Sequence, residues 1–240
     1  MLFVTSFALA HQPYVVGDAN ASAEAAFPVA DPDISIVVYA ERTCDAPQVW
    51  LEAEVEEGFG LYVQLGLPVA DALEGWRPSL AVVAPGLPEV DLGFALPEGM
   101  GAVVFPGAEA PTTFQEPFSG TTSWVMVEQT VELPEGGPVW VVAWDPAGAA
   151  GRLWVATGVV EDFSDADWGR IMDLMPDIAT FHGTDGSVVP GPELCEEAET
   201  EAGEPEPTAC ATTGPARGLL PALLATALLR RRRAGKAHPA

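Results

Sequence analysis

What most constrains this chain is a succession of short apolar segments, each cut off by Pro or Gly, at a spacing of about ten residues. They cover residues 34–41, 49–56, 61–69, 79–84, 102–105, 122–133, 139–144 and 152–160. Each has the length of a strand, and the regular turn signals between them are those of a β-sandwich or barrel. Alternation is clearest in Val49-Trp-Leu-Glu-Ala-Glu-Val-Glu. There Val49, Leu51, Ala53 and Val55 face inward, while Glu52, Glu54 and Glu56 face water. No strand leads into a long helical period, which argues against an α/β arrangement. One helix is expected late, with Asp165 or Asp167 as its cap and Trp168, Ile171, Met172, Met175 and Ile178 as its apolar stripe. The expected fold is therefore all-β: a jelly-roll-like sandwich of about eight strands with one short C-terminal helix.

Charge divides the chain into parts. Of its 240 residues 35 are acidic and 10 basic, and residues 1–217 hold every acid with only five bases: Arg42, Arg77, Arg152, Arg170 and Arg217. Residues 218–240 hold no acid and five bases, Arg230, Arg231, Arg232, Arg233 and Lys236. A body of −30 has nothing with which to neutralise phosphates, so nucleic-acid binding is excluded. Apolar residues make up 48% of the chain and seven are Trp, which argues against disorder throughout.

Both ends carry address-like patterns. Residues 1–10 are apolar and finish in Ala8-Leu9-Ala10, the small-x-small pattern of a signal-peptide cut. No Lys or Arg precedes the apolar stretch, so residues 1–10 read as a signal peptide, truncated at its charged start. A buried first strand is the other reading. Cleavage after Ala10 would leave His11-Gln12-Pro13-Tyr14 as the mature start, with Pro13 and Tyr14 docking on the sandwich. Residues 11–190 form the expected extracytoplasmic sandwich with its late helix. Residues 191–217 are rich in Glu and Pro and read as an acidic, disordered linker containing Cys210. Residues 218–240 supply a short hydrophobic helix and the Arg-rich tail. Its twelve apolar residues, 218–229, give about 18 Å of helix against a hydrocarbon core of ~30 Å. The arginines would hold that segment on the cytoplasmic side.

Cys210, a short hydrophobic stretch and the cluster Arg230–Arg231–Arg232–Arg233 together resemble the MYXO-CTERM sorting signal of myxobacterial surface proteins. The resemblance implies that Cys210 is the recognition and processing residue for a sorting protease. It also implies a product anchored at the cell surface or outer envelope. A plain single-pass anchor would give the same topology. With Cys210 assigned to the tail, Cys44 and Cys195 remain as a disulfide pair, as suits an exported domain.

The body has its own likeness. Residues 49–66, 78–86 and 131–158 follow the element order of bacterial pre-peptidase C-terminal domains, which are small extracellular β-sandwiches. The last of these stretches contains Leu-Pro-Glu-Gly-Gly-Pro-Val-Trp-Val-Val-Ala-Trp-Asp-Pro and Gly-Arg-Leu-Trp-Val-Ala-Thr-Gly. The resemblance implies an accessory module without catalytic residues. The insertion at 87–123 and the helix after Asp162 depart from that pattern.

Several constellations bear on chemistry. There is no Gly-x-Ser-x-Gly and no phosphate-binding glycine loop. The body offers only His11 and His182 as bases, and its serine runs, Phe118-Ser-Gly-Thr-Thr-Ser-Trp and Gly186-Ser-Val, look like turns. Asp31 and Asp33, with Glu161, Asp162, Asp165 and Asp167, offer oxygens to Ca²⁺, although no regular calcium loop is present and a solvated acidic surface explains them as well. A terminal His11 with His182 could chelate Cu, as in copper-dependent polysaccharide oxygenases. A glycosidase-type carboxylate pair is set in three dimensions and leaves no mark in spacing. If Val125, Val127, Val131, Val139, Val141, Leu153 and Val155 face the core, alternation turns Trp124, Met126, Trp140, Val142, Trp144 and Trp154 to the opposite face. Such a Trp-rich face is either covered by the helix or insertion, or is a platform for sugar rings or an apolar partner.

The sequence thus points to an exported, surface-anchored, non-catalytic β-sandwich protein with a binding or structural accessory role. Its expected partners are the membrane, a sorting protease, and a glycan or surface protein. The alternative is an extracytoplasmic enzyme acting on glycans, either copper-dependent through His11 and His182 or a carboxylate-pair hydrolase.

Overall fold

The computed structural model describes residues 11–195. The expected signal peptide, the linker beyond Cys195, Cys210, the apolar segment and Arg230–Arg231–Arg232–Arg233 lie outside the described residues. Thirteen strands are present: β1 (Gln12–Val16), β2 (Phe27–Pro28), β3 (Ile36–Glu41), β4 (Val49–Val55), β5 (Gly60–Pro68), β6 (Ser79–Ala84), β7 (Gly101–Phe105), β8 (Thr112–Gln115), β9 (Thr122–Glu132), β10 (Gly137–Trp144), β11 (Ala149–Ala150), β12 (Arg152–Thr157) and β13 (Glu193–Leu194). One helix, α1, spans Trp168–His182. All eight expected segments are strands. The five additional ones are short: β1, β2 and β8 lie at sheet edges, and β11 and β13 form a small ribbon.

Two sheets form the sandwich, ordered β1-β3-β12-β5-β9-β8 and β2-β4-β10-β6-β7. The chain passes from β3 to β4 to β5 to β6, changing sheets at each step, and the late strands β10 and β12 insert between the early ones. That interleaving is the wrapping of a jelly roll. The core between the sheets is made of alternate residues: Leu61, Val63, Leu65 and Leu67 of β5 and Leu153 and Val155 of β12 meet Val49 and Leu51 of β4, Val139 and Val141 of β10, and Leu80 and Val82 of β6. The period-two apolar pattern is thus what sets the sandwich.

Alternation in β9 does not run through unbroken. Leu65 pairs with Val127 but Gly66 pairs with Val125, so Met126 is the extra residue of a β-bulge. The bulge shifts the phase by one. Val127 and Met126 both reach the core, Trp124 packs partly against it, and Val125 turns outward. The single continuous outer face expected for Trp124, Met126, Trp140, Trp144 and Trp154 is therefore corrected. Trp124 and Met126 belong to the core side, and the other three are divided between the outer faces of different sheets.

Helix α1 is capped as the sequence suggests, with Asp167 Oδ1 accepting the Arg170 backbone N–H at 3.0 Å. It stops at Gly183, whose left-handed φ of +69° suits a residue without Cβ. The inward stripe is Ile171, Ile178 and Phe181, with Leu174 and Met175 partly buried. Trp168 and Met172, expected in that stripe, are 48% and 58% exposed, although Ile171 between them is fully buried.

Candidate functional site

Four groups of side chains were singled out by the sequence, and the fold distributes them differently. Three of the tryptophans lie on the outer face of the β4-β10-β6 sheet. Trp50, Trp140 and Trp144 form a buried layer there with Ala81, Val83 and Val142. The insertion covers it: Leu92, Phe94, Leu96 and Met100 point inward in alternation, and Phe94 stands edge-on to Trp50 at 5.6 Å and to Trp144 at 5.3 Å between ring centres. Indole N–H groups are satisfied inside the protein, from Trp50 to Gln48 Oε1 at 2.8 Å and from Trp140 to the Ala23 carbonyl at 3.3 Å.

Trp154 lies on the outer face of the other sheet, beneath α1. It clusters with Val37, Tyr39, Val125, Ile178 and Phe181. Of the four tryptophans proposed as a platform, Trp124 borders a surface cleft of about 210 Å³ that it shares with Glu74, Arg77, Glu109 and Pro111. Helix and insertion thus each bury one aromatic layer, and the platform has no continuous surface.

Each histidine is engaged in its own hydrogen bonds. His11 pairs through Nδ1 with Ser35 Oγ, and its ring is 6.5 Å from that of Phe114. His182 Nδ1 donates to the Ile178 carbonyl at 3.0 Å, which leaves Nε2 as the acceptor of its tautomer. Ser123 Oγ lies 3.2 Å from that nitrogen and receives the Trp154 Nε1–H at 3.0 Å. The result is a directed chain from Trp154 through Ser123 to His182. It resembles two members of a hydrolytic triad, but the third position is a backbone carbonyl rather than a carboxylate. Ser123 and His182 are also only 5% and 7% exposed, so no substrate carbonyl reaches the hydroxyl. Burial lowers the pKa of both His11 and His182 to about 4, and for His182 nearby Arg152 adds to the effect. Both rings are neutral at pH 7 and serve as packing and hydrogen-bonding groups.

The carboxylates come together in part. A cleft of about 380 Å³ between the ends of β1 and β2 is bordered by Tyr14, Phe27, Asp31, Asp162, Ser164 and Asp165. Two of the sequence-distant acidic groups therefore share one rim. Their oxygens turn toward backbone instead: Asp31 accepts the Asp33 N–H at 3.0 Å and Asp162 that of Ser164 at 2.8 Å. Among the described residues no three His, Cys, Asp or Glu side chains are grouped so as to hold a metal ion.

Cys44 and Cys195 form a disulfide with a Cα–Cα separation of 5.2 Å across 151 residues of sequence. Local structure brings both to the bond. Cys44 sits in a turn closed by the Ala46 N–H on the Thr43 carbonyl, and the buried Arg42 guanidinium ties that turn to the Ala46 and Gly17 carbonyls. Cys195 follows β13, which pairs with β11, and its own N–H reaches the Gly148 carbonyl at 2.9 Å.

The feature that sequence reasoning missed is a surface aromatic cluster. Phe163 stacks on Trp168 at 5.4 Å with the rings 23° from parallel, and Phe118 leans on Trp168 at 6.1 Å and 59°. Glu116, next to Phe118, has its carboxyl pKa raised by burial, against the pull of its bond from the Phe118 N–H and with added repulsion from Glu161. The signal was present in the sequence as aromatics interleaved with acids, but its members lie some 45 residues apart. No family model matches the chain, and no curated protein matches it.

Proposed function

We propose that this is an exported, surface-anchored module with a binding or structural accessory role, in which the sandwich performs no catalysis. The observation that carries the reading is the Cys44–Cys195 disulfide, which closes the folded region at its last described residue. Such a bond persists in oxidising compartments outside the cytoplasm. The buried serine and histidines add support, since each is committed to a structural hydrogen bond. The likeness of the sequence to pre-peptidase C-terminal domains and of the tail to MYXO-CTERM signals points the same way. On this reading the acidic linker acts as a stalk, and Cys210 is the processing point.

Mass spectrometry of the cell-surface fraction, digested without reductant, tests the proposal. The expected result is a chain starting at His11, a cross-linked peptide pair holding Cys44 and Cys195, and a terminus near Cys210. A full-length, reduced chain recovered from the cytoplasm would overturn it.

A further inference from the structure

We infer that the surface cluster of Phe118 and Trp168, with the half-buried Phe163 stacked on Trp168, is a docking site for an arginine-rich segment of a second exported protein. Two independent observations lead there. The first is the surface itself: Phe118 and Trp168 are 46% and 48% exposed and in ring contact, and Met172, one turn along α1, is 58% exposed. Large aromatics left open together, when Trp50, Trp140, Trp144 and Trp154 are buried under helix and insertion, mark an interaction surface.

The second is charge. Residues 11–195 hold 29 acids against four arginines. All four guanidinium groups are engaged with backbone carbonyls of this same domain: Arg42 with Gly17 and Ala46, Arg77 with Trp76 and Glu109, Arg152 with Thr180, and Arg170 with Pro13. The segments that carry the rings contain Glu116, Glu161, Asp162, Asp165 and Asp167 against one cation, Arg170, whose guanidinium is held by the Pro13 carbonyl. A sugar would ask for coplanar rings and hydrogen-bond donors. Here Phe118 is inclined to Trp168 by 59°, and the ionic side chains of these segments are, Arg170 apart, all carboxylates. Inclined aromatic faces beside carboxylates fit a planar cation, which stacks on a ring and donates to acids at once. The same helix already makes this contact internally, with the Arg170 guanidinium 4.2 Å from the Tyr14 ring centre.

This inference deepens the binding reading but does not depend on surface anchoring, so it can fail while the localisation result stands. The test is calorimetric titration of the full-length, oxidised protein with acetylated, amidated hexa-arginine at low salt. Expected are one saturable site and a loss of affinity of roughly 3- to 10-fold for Trp168→Ala, with a similar further loss when Phe118→Ala is added. Should the aromatic variants fold poorly, Glu161→Gln with Asp165→Asn leaves the rings in place and is expected to weaken binding by a similar factor. Equal affinity in wild type and all of these variants would overturn the proposal. So would binding of neutral cellohexaose that disappears with Trp168→Ala. A many-fold gain in affinity on replacing Arg230–Arg231–Arg232–Arg233 with alanine would also overturn it, by assigning the site to the chain's own tail.

Discussion

The indole of Trp154 occupies the space that any side chain at Gly66 would need; the two residues face each other across the pairing of β12 with β5. A Cβ at Gly66 would also come to 2.8 Å from the Trp124 carbonyl. Gly66→Ala is thus expected to cost roughly 1–3 kcal/mol by overpacking, read as a shift in urea midpoint. Because α1 rests on Trp154, the same variant should increase amide exchange in α1 before it affects β4 or β10.

Arg152 is both the register partner of Glu41 and a cation at the carbonyl end of α1. It makes an ion pair with Glu41 at 3.1 Å and donates to the Thr180 carbonyl at 2.9 Å. The helix dipole and the low exposure of the arginine make the second role the stronger one. Arg152→Ala should lose roughly 2–3 kcal/mol, whereas Glu41→Gln, at an exposed carboxylate, should lose less than about 1 kcal/mol. Equal losses in a denaturation series would show that the ion pair, not the helix contact, holds the arginine.

The disulfide closes a long loop, and by chain entropy its removal is expected to cost roughly 4–5 kcal/mol. A Cys44→Ser, Cys195→Ser double variant should melt well below the oxidised protein and coincide with the wild type measured in reductant.

The neutral, buried histidines give stability a definite pH dependence. An unfolded chain takes up protons on histidine near pH 6.5, while His11 and His182 resist until about pH 4 in the folded state. The unfolded state therefore binds more protons in that interval, so stability falls as pH drops from about 6.5 toward 4 and is insensitive to these groups above it. His182→Gln should shallow the slope by about one proton. An unchanged slope would mean that His182 is solvated in the native state.

The insertion protects an aromatic layer that the sequence alone would have left open. Phe94→Ala should expose Trp50 and Trp144, seen as a red shift of tryptophan emission and as protease cleavage within residues 87–100. The stability loss expected for a partly buried Phe is roughly 2–3 kcal/mol.

The eight main strands were legible because each buries alternate apolar residues, and β4 shows this in Val49, Leu51 and Ala53. β2 and β13, two residues each, carry no period to read. The bulge at Met126 was also hidden, since alternation presumes an unbroken ladder and a single inserted residue reverses every assignment beyond it. Nor does alternation say which sheet an outward residue belongs to, so Trp140 and Trp154 looked like neighbours. Trp168 fits the helical period but is left half-exposed, and only the tertiary arrangement places it beside Phe118.

The covalent link at Cys195 has a mechanical meaning. Tension arriving along the chain from beyond residue 195 enters the sandwich at Cys44, at the beginning of the β3–β4 connection, instead of loading β13 and then α1. Everything between the two cysteines lies off the force path, so a pull from that side cannot unzip the domain strand by strand. A tethered protein built this way would keep its helix, and the aromatic corner beside it, intact under loads that would peel an unlinked one from its end.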